Sequence, residues 1–279
     1  MIKLSLQSLC YRDTFRAGKI DLYGIIDRAA GLRFDGIDLH SGHFASTEPA
    51  YLEDLRLRCL RRGLHVCYIG VSNDFGKKGA DLDKQLAMVI RWVDVAAGMG
   101  VPMVRVFGAW VPQGEAEESV WPRLVETTKK AVAHARERRV ALGLHNHNHG
   151  CIPATGAQVL RLLDAVGDPY YMHILDTGQY RGSPGASKGD RGKEDPAHDF
   201  YGSIRTSAPR AVHVRAKVYR IASGEERWLD YGRILPVIKQ TGFNGWMSVV
   251  FEGQDEIDEE TAVPLATAYL RSQLTRHGM

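Results

Sequence analysis

The sequence predicts one closed (β/α)8 barrel over residues 1–279, and three observations predict it. Eight short apolar runs of strand type recur along the chain, stripes with helical spacing separate them, and no composition break interrupts the series. Strand and helix alternating throughout is the pattern of parallel α/β architecture, and about 250 residues is the usual size of its closed form. The first run is not followed by a GlyxGlyxxGly turn, which argues against an open dinucleotide-binding sheet.

The runs cover 4–6, 36–39, 64–69, 103–107, 141–144, 172–175, 211–214 and 247–251. Leu82, Leu86, Val89, Val93 and Ala97 fall on one helical face at steps of three or four. Leu124, Thr128, Ala131 and Ala135 form the stripe before the fifth run, Val159, Leu162 and Leu163 the stripe before the sixth, and Ile234, Val237 and Ile238 the stripe before the eighth. Gly31, Gly63, Gly100 and Gly242 stand between stripe and run, where a left-handed helix cap is wanted. Segment 179–196, rich in glycine and alternating charge, is too polar for core. It reads as an extended loop after the sixth strand, on the functional face of a barrel, and as a lid over a substrate.

Hydrophobic residues at 44% and charged residues at 25% suit a globular chain with a large core. The net charge of +3 is scattered as Arg56, Arg58, Arg61, Arg62, Lys129, Lys130, Arg136, Arg138 and Arg139 on segments that read as helices, the pattern of solvated faces rather than of a nucleic-acid partner. Cys10, Cys59, Cys67 and Cys151 form no CxxC pair, and no charged-then-apolar leader follows Met1, so reduced thiols and a cytoplasmic location are expected. No apolar run approaches the ~18 residues of a membrane span.

The densest polar signal is 144–150, LeuHisAsnHisAsnHisGly, at the end of the fifth run. On an extended chain His145, His147 and His149 share one side, so three imidazoles are expected to converge as bases or ligands. The sixth run ends on Asp176 and the eighth leads into Glu252, a carboxylate deep enough to want a cation or a proton. His213, Arg215 and Lys217 alternate along the seventh run. Because helices cover the outside of a barrel, their shared face points to the lumen, where they suit an enediolate or polyol oxygen. Asp38, His40, His43, Asn73, Asp74 and Trp110 are weaker candidates at earlier strand ends.

Five segments in this order, 34–39 (PheAspGlyIleAspLeu), HisAsnHis of the fifth strand, 175–179 (LeuAspThrGlyGln), 213–217 (HisValArgAlaLys) and 244–253 (AsnGlyTrpMetSerValValPheGluGly), resemble the sugar phosphate isomerase/epimerase superfamily, the xylose-isomerase-like TIM barrels. The resemblance runs essentially end to end. It implies a small-molecule carbohydrate substrate and proton transfer: His147 or Glu252 removes the proton next to a carbonyl, and the enediolate is held by a cation or by Arg215 and Lys217. On this reading His147, Glu252 and Lys217 are catalytic, while Arg215, Trp110, Gln179 and His149 bind substrate. Proton return gives isomerisation or epimerisation; loss of a β-hydroxyl gives dehydration, as in inosose dehydratase-like members.

The resemblance also implies a divalent metal ion held by Glu, Asp, His and Glu on strands five to eight. Here those positions are His145, Asp176, His213 and Val250, with Glu252 two residues on as the substitute. Such a nitrogen and oxygen set suits manganese, iron, cobalt or zinc. The replacements at His145 and Val250 equally suggest a barrel without metal, serving as a sugar-binding or partner-dependent subunit. Pairing of such barrels makes a homo-oligomer a further expectation from the resemblance.

Overall fold

The computed structural model describes residues 2–185 and 191–279. Eight parallel strands, β1 (Lys3–Gln7), β2 (Gly36–His40), β3 (His65–Gly70), β4 (Met103–Val106), β5 (Ala141–His145), β6 (Tyr171–Asp176), β7 (Ala211–Val218) and β8 (Trp246–Phe251), close into a barrel in chain order. Each is followed by a helix: α1 (Leu22–Gly31), α2 (Pro49–Arg61), α3 (Gly79–Met99), α4 (Glu117–Glu137), α5 (Gly156–Val166), α6 (Phe200–Ser207), α7 (Tyr231–Gln240) and α8 (Glu259–Arg276). The predicted fold class is the observed one. β7 is longer than expected because its second half carries Arg215 and Lys217, which interrupt the apolar run without leaving the strand.

Local chemistry sets the element ends. Asp21, Thr155, Asp199, Asp230 and Asp258 cap α1, α5, α6, α7 and α8 by accepting a backbone N–H from the first turn, each satisfying a donor the helix cannot. Gly63, Gly100 and Gly242 take the left-handed turn after their helices. The fourth expectation fails: Gly31 is the last residue of α1, and Arg33 adopts φ 58° in its stead.

Outward residues of the strands pack under the helices in one continuous core that includes Leu6, Ile37, Leu39, Val104, Leu142, Leu175, Val214 and Val249. Inside the barrel a second, small apolar cluster of Cys67, Tyr68, Met103, Ala141 and Ile174 plugs the lower lumen, with Met172 and Trp246 against it. Charged side chains fill the lumen above this plug. Several of the basic helix residues pair at the surface, Arg58 and Arg62 with Asp27, Arg56 with Glu53 and Lys130 with Glu126. All four cysteines are free and buried. Among the described residues no helix is long and apolar enough to cross a membrane.

Candidate active site

Asp176, at the C-terminal end of β6, is fully buried and collects three donors on Oδ2: His145 Nε2 at 3.1 Å, Arg215 Nε at 3.0 Å and Lys217 Nζ at 3.3 Å. Its main chain is fixed by Asn146, whose side-chain amide accepts the Asp176 N–H (2.8 Å) and donates to the Asp176 carbonyl (3.0 Å). Burial alone would raise the carboxyl pKa, but Lys217, His145 and Arg215 hold it well below the usual range. Lys217 continues the chain to Glu252 Oε1 at 3.0 Å, and Glu252 also meets Arg12 at 3.3 Å and Gln179 Nε2 at 3.4 Å. Burial works against its ionisation too, yet Lys217 and Arg12 bring the pKa down to about 2. Side-chain exposure rises along this chain from 0% at Asp176 through 1% at Lys217 to 25% at Glu252, so the chain opens to the mouth at Glu252.

One step deeper, His213 Nε2 lies 2.8 Å from Ser248 Oγ and 3.4 Å from Asp38 Oδ2. Arg215 Nη1 donates to the Tyr68 hydroxyl, which also accepts from Gln7 Nε2 at 2.9 Å. Arg105 on β4 is buried at this level with its guanidinium carbon 4.3 Å from the Phe107 ring centroid.

The opposing side of the mouth is built of rings. Phe107 touches His145, His147 and Trp110 with centroids 5.0–5.1 Å apart, and Trp110 reaches His147 at 5.5 Å. The ribbon pairing Ala109–Trp110 with Cys151–Ile152 holds Trp110 there. Gly108 permits that approach, since a Cβ on it would lie 2.1 Å from the Ile152 carbonyl oxygen. The expected convergence of three imidazoles is not what forms. β5 ends at His145, the chain then turns, and His149 adopts φ 60°, so the rings follow one another edge to edge, His145 to His147 at 5.7 Å and His147 to His149 at 5.1 Å. His147 Nδ1 donates to the Asn148 carbonyl at 2.8 Å, leaving Nε2 as the acceptor. Burial lowers the pKa of His147 to about 4, lowers that of His149, and puts His145 well below the ordinary value.

Other sequence candidates have structural partners. Asn73 ties both backbone groups of Phe107, Asp74 accepts from Gly76 and Trp110 N–H, His40 bonds Ser72, and His43 bonds Ser8. Of the segment expected to form a lid, residues 186–190 lie outside the described residues. Its beginning is inside the fold, with Gln179, Tyr180 and Ser183 buried, and Gly192 N–H bonds the Pro184 carbonyl at 2.9 Å. Sequence reasoning missed Arg105, Tyr68 and Arg12. Only Arg105 left a signal, a lone cation inside the apolar run MetValArgValPhe.

The xylose isomerase-like TIM barrel family model matches residues 26–273. The chain belongs to that family. No curated protein matches the chain in sequence. Among solved structures this xylose isomerase-like barrel is similar to the D-psicose 3-epimerase of Clostridium cellulolyticum H10 crystallised with D-tagatose (15% identity, 98% of each chain, TM-score 0.75). It is also similar to an L-ribulose 3-epimerase (14%, 99% of this chain and 95% of that one, 0.75) and to the 3-keto-D-glucoside 4-epimerase of E. coli (13%, 98% and 100%, 0.70). At these identities the likeness is one of fold.

Of the metal ligands implied by the family resemblance, His145 and Asp176 meet at 3.1 Å, but the set of four is not brought together. His213 faces Asp38 and Ser248 below the ionic chain, while Val250 stands on β8 two residues beyond the lumen-facing Ser248. Between Asp176 and Glu252, where a cation would bridge the carboxylates, sits the Lys217 ammonium, with Arg215 on the same Asp176 oxygen. A divalent ion needs ligand atoms at about 2.0–2.2 Å and is repelled by fixed positive charges about 3 Å away. Among the described residues no three His, Cys, Asp or Glu side chains group as a metal site. The residues present do not fit a divalent cation.

Proposed function

We propose that this chain is an isomerase or epimerase of a keto-sugar or cyclic polyol that works by proton transfer through an enediolate. The observation that carries the reading is the ionic chain Asp176–Lys217–Glu252, buried at one end and open to the mouth at the other, opposite rings on which a sugar's C–H face can lie. The epimerase structures of the same fold support it.

Glu252 is ionised at neutral pH and accepts the proton from the carbon next to the carbonyl; the C–H electron pair moves into a C=C bond and the carbonyl π pair onto oxygen. Lys217 holds that oxygen and Arg215 keeps Asp176 charged beneath it, so positive charge is already in place when the enediolate forms. His147, neutral with Nε2 free, is the second acceptor, on the aromatic wall. For the epimer, His147, once its Nε2 has taken a proton from water, donates to the other face of the same carbon, the enediolate electrons re-form the C=O, and Glu252 releases the abstracted proton to solvent. For the aldose–ketose isomer, Glu252 returns its proton to the former carbonyl carbon while the neighbouring hydroxyl passes its proton to the former carbonyl oxygen and becomes the new C=O. Trp110, His149 and Gln179 line the mouth as substrate contacts.

Two measurements test this. Incubation with ketohexoses in deuterium oxide should place deuterium at one sugar carbon; turnover without incorporation would mean a hydride shift and end the enediolate reading. Elemental analysis of the purified protein should find no stoichiometric metal, and turnover should survive a chelator. One transition metal per chain, lost together with activity on chelation, would overturn the assignment of Lys217.

A further inference from the structure

Among the described residues, one cation in the lumen is left without a carboxylate. Arg215 and Lys217 pair with Asp176, Lys217 and Arg12 share Glu252, and Asp38 faces His213. Arg105, 1% exposed, has no acidic side chain within ion-pair distance among the described residues, and its Nε and Nη1 have no hydrogen-bond partner. Burial and the neighbouring Arg215 lower its pKa to about 9, so it is still charged at neutral pH. An unpaired charge in such surroundings costs several kcal/mol and is kept where something external pairs with it.

The fold makes room for this group. Gly70, beside Arg105 in the β3–β4 pairing, leaves a gap that a Cβ would fill to within 2.8 Å of Arg105 Nη2. Phe107 covers one face of the guanidinium and is itself part of the aromatic wall, in contact with His147 and Trp110. The planar fork is thus held by packing while two of its nitrogens stay unused, which suits two oxygens of one anion.

We propose that Arg105 anchors an oxyanion subsite and that the substrate is an acidic sugar, carrying a carboxylate or a phosphate away from the carbon that reacts. This deepens the sugar reading above and rests on it for the word sugar, though not for the anion. The enediolate is a different anion. It forms beside Lys217 and Glu252, which already pair with each other, whereas Arg105 belongs to the other wall and has two nitrogens without a partner.

Isothermal titration of the wild type and of Arg105→Gln with D-fructose, a hexuronate, D-fructose 6-phosphate and inorganic phosphate tests this. The wild type should bind the uronate or the sugar phosphate at least about tenfold tighter than the neutral sugar, as expected of a charged hydrogen-bonded pair. Arg105→Gln should lose that preference while its affinity for D-fructose moves less than about twofold. Gly70→Ala, which keeps the charge but displaces the guanidinium, should lose it as well, so the test survives if one variant fails to fold. Which of uronate and sugar phosphate gains more identifies the anion. Equal affinity for neutral and acidic sugars, or a preference kept in both variants, would overturn the subsite. Arg105-dependent binding of inorganic phosphate without binding of any sugar would leave the subsite standing and remove the sugar reading.

Discussion

The two walls of the barrel mouth are built on opposite physical principles. On β6, β7 and β8 the side chains are charged and tied to one another, Asp176 to Arg215 and Lys217, Lys217 to Glu252. At the ends of β4 and β5 and in the segments that follow them they are rings in contact, Phe107, Trp110, His145 and His147, whose imidazoles burial keeps neutral. An ionic wall positions proton acceptors and charge, and it costs stability if any partner is removed. A ring wall offers area and shape, and it tolerates loss of one member better. A sugar has both kinds of surface, oxygens on its edge and C–H groups on its face, so the difference matches the two sides of one ligand.

If the ionic wall is one coupled unit, its innermost member should give the largest effect. Asp176→Asn keeps shape and removes the charge that Arg215 and Lys217 share. Breaking a buried pair from one side costs about 3–5 kcal/mol, a fall of roughly 10 °C in Tm for a chain of this size. Deuterium incorporation should disappear in the same variant. An unchanged Tm would show that the guanidinium and ammonium are satisfied elsewhere and would break the picture of a coupled wall.

Glu252→Gln sharpens it from the exposed end. Loss of a general base reduces rate by about 10²- to 10⁴-fold. Because Glu252 is a quarter exposed, and water can solvate Lys217 and Arg12 in its place, Tm should change far less than for Asp176→Asn. A stability loss equal to that of Asp176→Asn, with turnover retained, would make Glu252 a structural residue.

The ionic wall was largely legible in the sequence, and the ring wall was not. Alternation of His213, Arg215 and Lys217 can have only one meaning in a strand covered by helices, and Asp176 and Glu252 sit where β6 and β8 end or have just ended. Alternation was equally applied to His145, His147 and His149, and there it misled: the strand stops at His145, and Asn146 uses its amide to bind the Asp176 backbone. Nothing in the pattern distinguishes a strand that goes on from one that turns when every residue is polar. Arg12 lies in a short helix beyond β1 and reaches Glu252 across 240 residues of sequence, a contact that only barrel closure creates. Arg105 was hidden for the opposite reason, since one cation amid Met103, Val104, Val106 and Phe107 does not disturb an apolar run.

The ring wall answers to pH rather than to loss of charge. Burial lowers the pKa of His147 to about 4 and puts His145 well below its ordinary value, so each prefers the neutral form in the folded state. A depressed folded value means that the stability is fully present above about 6.5 and is lost as pH falls toward the folded value. Each such buried histidine costs about 1.4 kcal/mol per pH unit over that window. Urea midpoints should therefore be flat from pH 8 to 7 and drop between pH 6 and 4.5, before the carboxylates of the ionic wall begin to protonate. A flat midpoint down to pH 5 would mean that the imidazoles are solvated and the wall is looser than its contacts indicate.

The smallest expected effect belongs to Trp110. It is half-buried at the mouth, held by the Ala109–Trp110 ribbon strand and in contact with Phe107 and His147, but it makes no ion pair and its backbone is fixed by Asp74. Trp110→Ala removes a stacking face worth about 0.5–1.5 kcal/mol beyond its area, so KM should rise roughly tenfold while kcat stays within about twofold, the signature of binding felt equally before and at the transition state. A fall in kcat at unchanged KM would instead give the ring wall a part in the chemistry. The most direct route for that is through His147, whose ring leans on Trp110 and would lose its orientation with it. In that case the division of labour between the two walls fails, and proton transfer is shared across the mouth.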